Sequence, residues 1–224
     1  DSDYDRYVTI KNHLRKNKYN PKKLYNKSMF NVVDVGFNSI FLRANKDLLE
    51  LLKSFNLEHN KLKKFILKSE NQIEKLYNEK KGVFTNYDVR NKKKIIVPSI
   101  TNYFILFADL KNQTINKKII KNLKNHNQTK KYIFSSIKPN HKKFEEKRYW
   151  RGPVWINCNW IIYQGLKNKD KNFANKIKEK TINLIKKNGF FEYYSFKTGK
   201  AFGASNFSWT ASLFLDLVME KKYN

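Results

Sequence analysis

The sequence is poor in the residues that most chemistries need. It has one cysteine, seven glycines, four prolines and four histidines in 224 residues. A single thiol, Cys158, excludes an internal disulfide framework and fits a reducing compartment, so a cytoplasmic protein is expected. The histidines (His13, His59, His126 and His141) are scattered in polar contexts without metal-ligand spacing, and no metal or organic cofactor is expected. There is no glycine-rich phosphate loop, no CxxC pair and no serine-centred nucleophile elbow. No apolar run approaches the ~20 residues of a membrane helix. No secretory signal is visible at the N-terminus, and no membrane partner is expected.

Arginine is scarce as well. Of 47 basic residues only six are Arg, against a net charge of +28. The lysines are spread along the whole chain among abundant Asn and Ile, a mixture that suggests compositional drift in an AT-rich genome. Nucleic-acid recognition concentrates arginine and basic residues on one face or motif. Specific nucleic-acid binding is therefore not expected, while salt-sensitive adhesion to polyanions is. A basic helical nucleic-acid-binding protein stays as a third reading, which requires a continuous Lys/Arg stripe and no aromatic cavity.

What is present is a folded core, with 40% hydrophobic and 15% aromatic residues. Residues 3–16 read as a short helix and residues 17–29, with Pro21, as a loop. Residues 32–55 read as a helix buried on two sides, and 58–78 as an amphipathic helix. Short extended pieces follow between Gly82 and Val97, and Pro98 opens another helix. Thr114 is a plausible N-cap for a helix carrying Ile115, Ile119, Ile120 and Leu123. Pro153 sits at the first position of a helix running to about residue 167. Residues 170–188 form the next helix, stopped by Gly189, and the last spans 207–220. The chain is thus all-α, with about seven helices in pairs and a few short strands.

Against this plain background three aromatic blocks stand out: Tyr149-Trp150-Arg151-Gly152-Pro153-Val154-Trp155, Gly189-Phe190-Phe191-Glu192-Tyr193-Tyr194, and Asn206-Phe207-Ser208-Trp209-Thr210. Glu192, in a loop after a helix end, is either a functional carboxylate among rings or a solvated glutamate. The Tyr149–Trp155 block is either a sugar-stacking platform with Arg151 as a forked donor, or a packed hydrophobic staple. Arg43, inside the apolar run Ile40-Phe41-Leu42-Arg43-Ala44, either meets a ligand or pairs with Asp47 one turn on. Asp1, Asp3 and Asp5 supply either a general acid or a capping cluster. Cys158 reads as a packed residue rather than a nucleophile.

In order, Asp34-Val35-Gly36-Phe37-Asn38-Ser39, Tyr-Trp-Arg-Gly-Pro-Val-Trp-Ile-Asn, Gly-Phe-Phe-Glu-Tyr-Tyr with Thr198-Gly199, and Phe207-Ser208-Trp209-Thr210-Ala211 resemble the mannosylglycerate and glucosylglycerate hydrolases. They are similar, more distantly, to processing α-glucosidase I and trehalase. The resemblance implies an (α/α)6 barrel of paired helices that hydrolyses α-glycosides with inversion, acting on a small carbohydrate without a cofactor. It implies Glu192 as general base. It puts Tyr149, Trp150, Gly152, Trp155, Arg43 and Asn206 on the sugar-binding side, and Arg151, read from its own forked donor chemistry, is counted with them. The family's acid motif precedes the Asp-Val-Gly helix; here only Asp1-Ser2-Asp3-Tyr4-Asp5 stands there, making Asp1 the candidate acid, with a position upstream as the alternative. A twelve-helix barrel needs roughly 350 residues. The chain is therefore expected to be one domain, 1–224, the C-terminal portion of such a barrel, with the N-terminal helices missing. The other functional reading is a non-catalytic carbohydrate-binding or remnant helical domain. Sugar, aglycone and oligomeric state stay open.

Overall fold

The computed structural model describes residues 2–126 and 133–220. In chain order the elements are α1 (Ser2–Lys16), α2 (Pro21–Lys27), β1 (Val32–Val33), α3 (Val35–Ser54), α4 (Asn60–Glu74), β2 (Tyr77–Asn78), β3 (Val83–Phe84), β4 (Asn86–Asp88), β5 (Lys93–Ile95), α5 (Ile105–Ala108), α6 (Gln113–His126), α7 (Ile156–Leu166), α8 (Lys171–Asn188), β6 (Phe191–Tyr194), β7 (Ala201–Ser205) and α9 (Ser208–Met219). A 3-10 turn, Ile100–Tyr103, leads into α5. Among the described residues, nine α-helices thus stand where about seven were expected.

Several boundaries differ from the sequence reading, each for a local reason. Residues 21–27 are helical, because Pro21 takes a first-turn position and the Asn20 side chain accepts from Lys23 N at 3.1 Å. The long helix starts at Val35 rather than residue 32. Asp34 caps it, accepting from Phe37 N at 2.7 Å, while Val32 and Val33 pair with β4. Asn112, not Thr114, caps α6, since its side chain accepts from Ile115 N at 3.1 Å. Residues 77–78 belong to β2 instead of extending α4.

The helices form part of a ring. α3 packs on α5, α5 on α7 and α7 on α9, giving an inner series of alternate helices. α4 lies against α3, and α8 against α7 and α9, as an outer layer. This is a partial (α/α)6 barrel, and the strands make only two- and three-stranded pieces among the described residues. The main core runs between the layers through Leu42, Leu106, Ile119, Ile162 and Leu166. α5 and α7 approach so closely at Gly165 that an added Cβ would lie 2.6 Å from Phe107 N. The far flank of α3 leaves Phe37, Leu48, Leu51 and Phe55 exposed. Among the described residues no helix is long and apolar enough to cross a membrane.

Two polar features sit inside this packing. Lys46 Nζ pairs with the buried carboxylate of Glu70 at 2.6 Å and donates to the carbonyls of Ala108 and Asp109 at 2.9 and 2.6 Å. One ammonium therefore ties α3 to α4 and caps α5. Replacing it leaves a buried carboxylate unpaired, so Lys46→Met should destabilise the protein by about 3 kcal/mol or more in a denaturant melt, and Lys46→Met with Glu70→Leu should recover much of that loss.

His126 closes α6 against the rings of Tyr103 and Phe134, and its ring nitrogens have no hydrogen-bond partner among the described residues. Burial holds the imidazole down to about 4, against 6.5 when free, with Lys138 adding to the effect. The unfolded chain takes up this proton before the native state does. Stability should therefore be full above pH 6.5 and fall as pH drops toward about 4. The share from this group is about 3 kcal/mol. Thermal melts across that window should show the loss in the wild type and a weaker one in His126→Leu.

Candidate active site

The site is built where the chain enters α7. Val154 exchanges both backbone hydrogen bonds with Tyr194, N to O at 2.8 Å and O from N at 3.0 Å, and also bridges Ser135. Pro153 O accepts from Ser136 N at 2.9 Å. These pairings hold residues 153 and 154 extended, so α7 begins at Ile156 and Pro153 is not its first residue, contrary to the sequence reading. Gly152 is buried, donates its N–H to Ser136 Oγ at 2.9 Å, and abuts the Glu145–Glu146 backbone so tightly that no Cβ fits.

This bridge brings the aromatic blocks together. Trp155 lies between Trp150, with centroids 4.4 Å apart and planes at 11°, and Tyr193, at 5.1 Å and 28°. Tyr149 meets all three rings edge-on, at 6.0, 4.8 and 5.4 Å from Trp150, Trp155 and Tyr193. Trp155 Nε1 donates to Tyr149 O at 2.8 Å. Trp155 is 2% exposed, whereas Tyr149 and Trp150 are each 47% exposed. The sequence reading put all three on the binding wall. The structure buries Trp155 and Gly152 and leaves Tyr149 and Trp150 at the surface.

Glu192 lies in β6, not in a loop, because α8 ends at Gly189 (φ 82°) and the chain turns directly into the β6–β7 hairpin. Tyr194 Oη fixes that turn, donating to Gly189 O at 2.6 Å and accepting from Phe191 N at 3.1 Å. The Tyr149 hydroxyl donates to Glu192 Oε1, and Ala204 N donates to Oε2 at 3.3 Å. The hydrogen bond to Glu192, with burial, pushes the Tyr149 phenol up to about 12, so Tyr149 stays a donor at neutral pH. Asn206 leaves β7 with φ 50° and is exposed; the next residue, Phe207, donates its N–H to Phe190 O at 3.0 Å. Glu192, Tyr149, Trp150 and the β7 exit thus form one half-open patch of carboxylate, phenol and ring faces.

Other predicted residues go elsewhere. Arg43 pairs with Asp47 at 2.8 Å and lies 5.2 Å from the Phe107 ring centre, on the α3–α5 contact. Arg151 reaches Glu145 at 3.3 Å. The Asp34-Val35-Gly36 motif is a capping unit. Asp34 accepts from Asn86 Nδ2 at 2.9 Å, Asn86 Oδ1 accepts from Val35 N at 2.8 Å, and Asn38 donates to Asp34 O at 2.7 Å. Cys158 is a buried thiol that burial pushes up to about 12, in keeping with packing. Asp1 lies outside the described residues. No group of three or more metal-ligating side chains occurs among the described residues. Gly203 and Ala204 were missed, although a glycine in so glycine-poor a chain was the available signal.

Known proteins carry the same framework. Residues 1–210 match the model of the mannosylglycerate hydrolase MGH1-like glycoside hydrolase domain. The chain is 34% identical over 216 residues to the mannosylglycerate hydrolase of Thermus thermophilus, covering 95% of this chain and 52% of that protein. The crystal structure of a GH63 mannosylglycerate hydrolase from Thermus thermophilus in complex with Tris and D-glycerate superposes with a TM-score of 0.90 at 33% identity, over 96% of this chain and 52% of that one. Neutral trehalase Nth1 from Saccharomyces cerevisiae shares the fold, with a TM-score of 0.65 at 13% identity over 86% of this chain and 38% of that one. The chain spans about half the length of the curated relatives it matches. With the family model extending over almost the whole chain and the partial helical ring reproduced in the Thermus enzyme, the chain belongs to the mannosylglycerate hydrolase MGH1-like glycoside hydrolases.

Proposed function

We propose that the chain is the C-terminal portion of an (α/α)6-barrel catalytic domain that hydrolyses a small α-glucoside or α-mannoside with inversion, the substrate being mannosylglycerate, glucosylglycerate or a related disaccharide. Glu192 is the general base. The observation that carries the reading is its carboxylate, held by Tyr149 and Ala204 where Tyr149 abuts the Trp150–Trp155–Tyr193 ring stack. The reading takes the exposed Trp150 indole as the stacking surface for the C–H face of a sugar ring whose anomeric carbon meets the carboxylate. Family membership supports the substrate class.

The reaction follows from that placement. Glu192 takes a proton from water as the water oxygen bonds to the anomeric carbon. An acid on the opposite face, Asp1 or a residue upstream, gives a proton to the leaving oxygen as the glycosidic bond breaks. An inverting pair stands about 6.5–9.5 Å apart to admit the water. Asn206, exposed at the β7 exit, contacts a sugar hydroxyl in this reading. Arg43 joins the site only through a ligand that reaches the α3–α5 contact. The exposed α3 flank suits the remaining helices of the ring. The lone buried Cys158 suits a reducing cytoplasm.

Hydrolysis of mannosylglycerate, glucosylglycerate and trehalose should be measured for the full-length protein that carries this chain, as wild type and as two variants. Glu192→Gln should lose about 10³-fold in kcat, and Tyr149→Phe about 10-fold. Full activity in Glu192→Gln removes Glu192 from the mechanism. If the wild type binds sugar, read as a change in tryptophan fluorescence, yet hydrolyses none of the three, the chain is a carbohydrate-binding module instead.

A further inference from the structure

The β6–β7 hairpin is irregular at one place. Phe191 pairs with Ser205 and Tyr193 with Phe202, so the single residue Glu192 faces two residues, Gly203 and Ala204. This is a β-bulge, with Gly203 at φ 73°. The extra residue breaks the ladder directly opposite the carboxylate, and the Ala204 N–H turns onto Glu192 Oε2. Gly203 has no room for a side chain: an added Cβ would lie 2.5 Å from Glu192 Oε2 and 2.8 Å from both Glu192 Cβ and Tyr193 Cε1. Two requirements therefore meet at this glycine, a left-handed backbone and the closest approach to the carboxylate.

We propose that the Gly203–Ala204 bulge is a positioning element for Glu192. The bulge supplies a backbone donor to Oε2 while Tyr149 supplies a hydroxyl to Oε1. Two donors on two oxygens, one from β7 and one from the segment before α7, fix the plane of the carboxylate. Tyr194 spends its N–H and C=O on Val154, so Glu192, two residues away, sits at a non-hydrogen-bonded position of the β6–β7 pair; a regular hairpin would turn the opposing N–H outward and leave Oε2 without this donor. The inference rests on Glu192 acting as general base, where a displacement of about 1 Å costs on the order of 100-fold in rate.

Two variants test it. Gly203→Ala keeps the bulge and crowds the carboxylate. Deleting Ala204 closes the bulge and restores a regular hairpin, so folding is favoured rather than strained. Both should lower kcat by about 100-fold with KM within about threefold of wild type, and the deletion should melt at or above the wild-type temperature. Deletion of Ala204 with unchanged kcat overturns the proposal. A second readout does not need turnover: the Ala204 amide proton in a ¹⁵N–¹H spectrum should shift on acidification in the wild type and lose that shift in Glu192→Gln. An Ala204 shift that persists in Glu192→Gln also overturns it. Full turnover by Glu192→Gln sinks the base assignment alone, and the amide shift then decides the bulge by itself.

Discussion

The exchange of two backbone hydrogen bonds between Val154 and Tyr194 is the constraint on which the site depends. Seen from α7, it delays the helix until Ile156. On the β6 side, it fixes the strand that carries Glu192 and Tyr193. With both ends pinned, Trp155 enters the gap between Trp150 and Tyr193, and the Tyr149 hydroxyl reaches Glu192. A buried tryptophan of this kind is worth roughly 3–5 kcal/mol on truncation, so the stack also secures the bridge that made it. Fold stability and site geometry are here one interaction seen from two sides.

The surface charge has a different origin from the site. Lysines are spread along the helices, and on α6 two of them find carboxylates: Lys118 with Glu79 at 2.9 Å and Lys124 with Asp170 at 2.6 Å. Exposed pairs of this sort add little stability. Lys46 differs because its partner Glu70 is buried and its remaining donors satisfy carbonyls at the end of α5. The charge of the chain thus says little about the proposed site, a small set of rings and one carboxylate.

Much of this was legible in the sequence because it is written in short, local patterns. The helical period placed α3, α4, α6 and α8, and Gly189 marked the end of α8 through its left-handed φ. The ordered aromatic blocks pointed to the family. What was not legible depends on partners far along the chain. Pro153 obeys the rule for a helix start, yet the pairing with residues 135–136 and 194 overrides it. Trp155 has the composition of a binding wall, but its neighbours cover both faces. Arg43 settled on Asp47 and Phe107, the local pairing the sequence held open. Glu192 became a strand residue because the hairpin returns through Gly203, eleven positions on, a contact with no local signature.

Central to the proposed reaction is a carboxylate that activates water on the face of the sugar opposite the departing oxygen. The anomer released first is its most direct test. Proton NMR of an α-mannosyl- or α-glucosylglycerate digest, recorded before mutarotation, should show the β-anomer of the free sugar accumulating ahead of the α-anomer. Initial release of the α-anomer would contradict the account, since it requires two displacements and a covalent glycosyl-enzyme in place of a base-activated water.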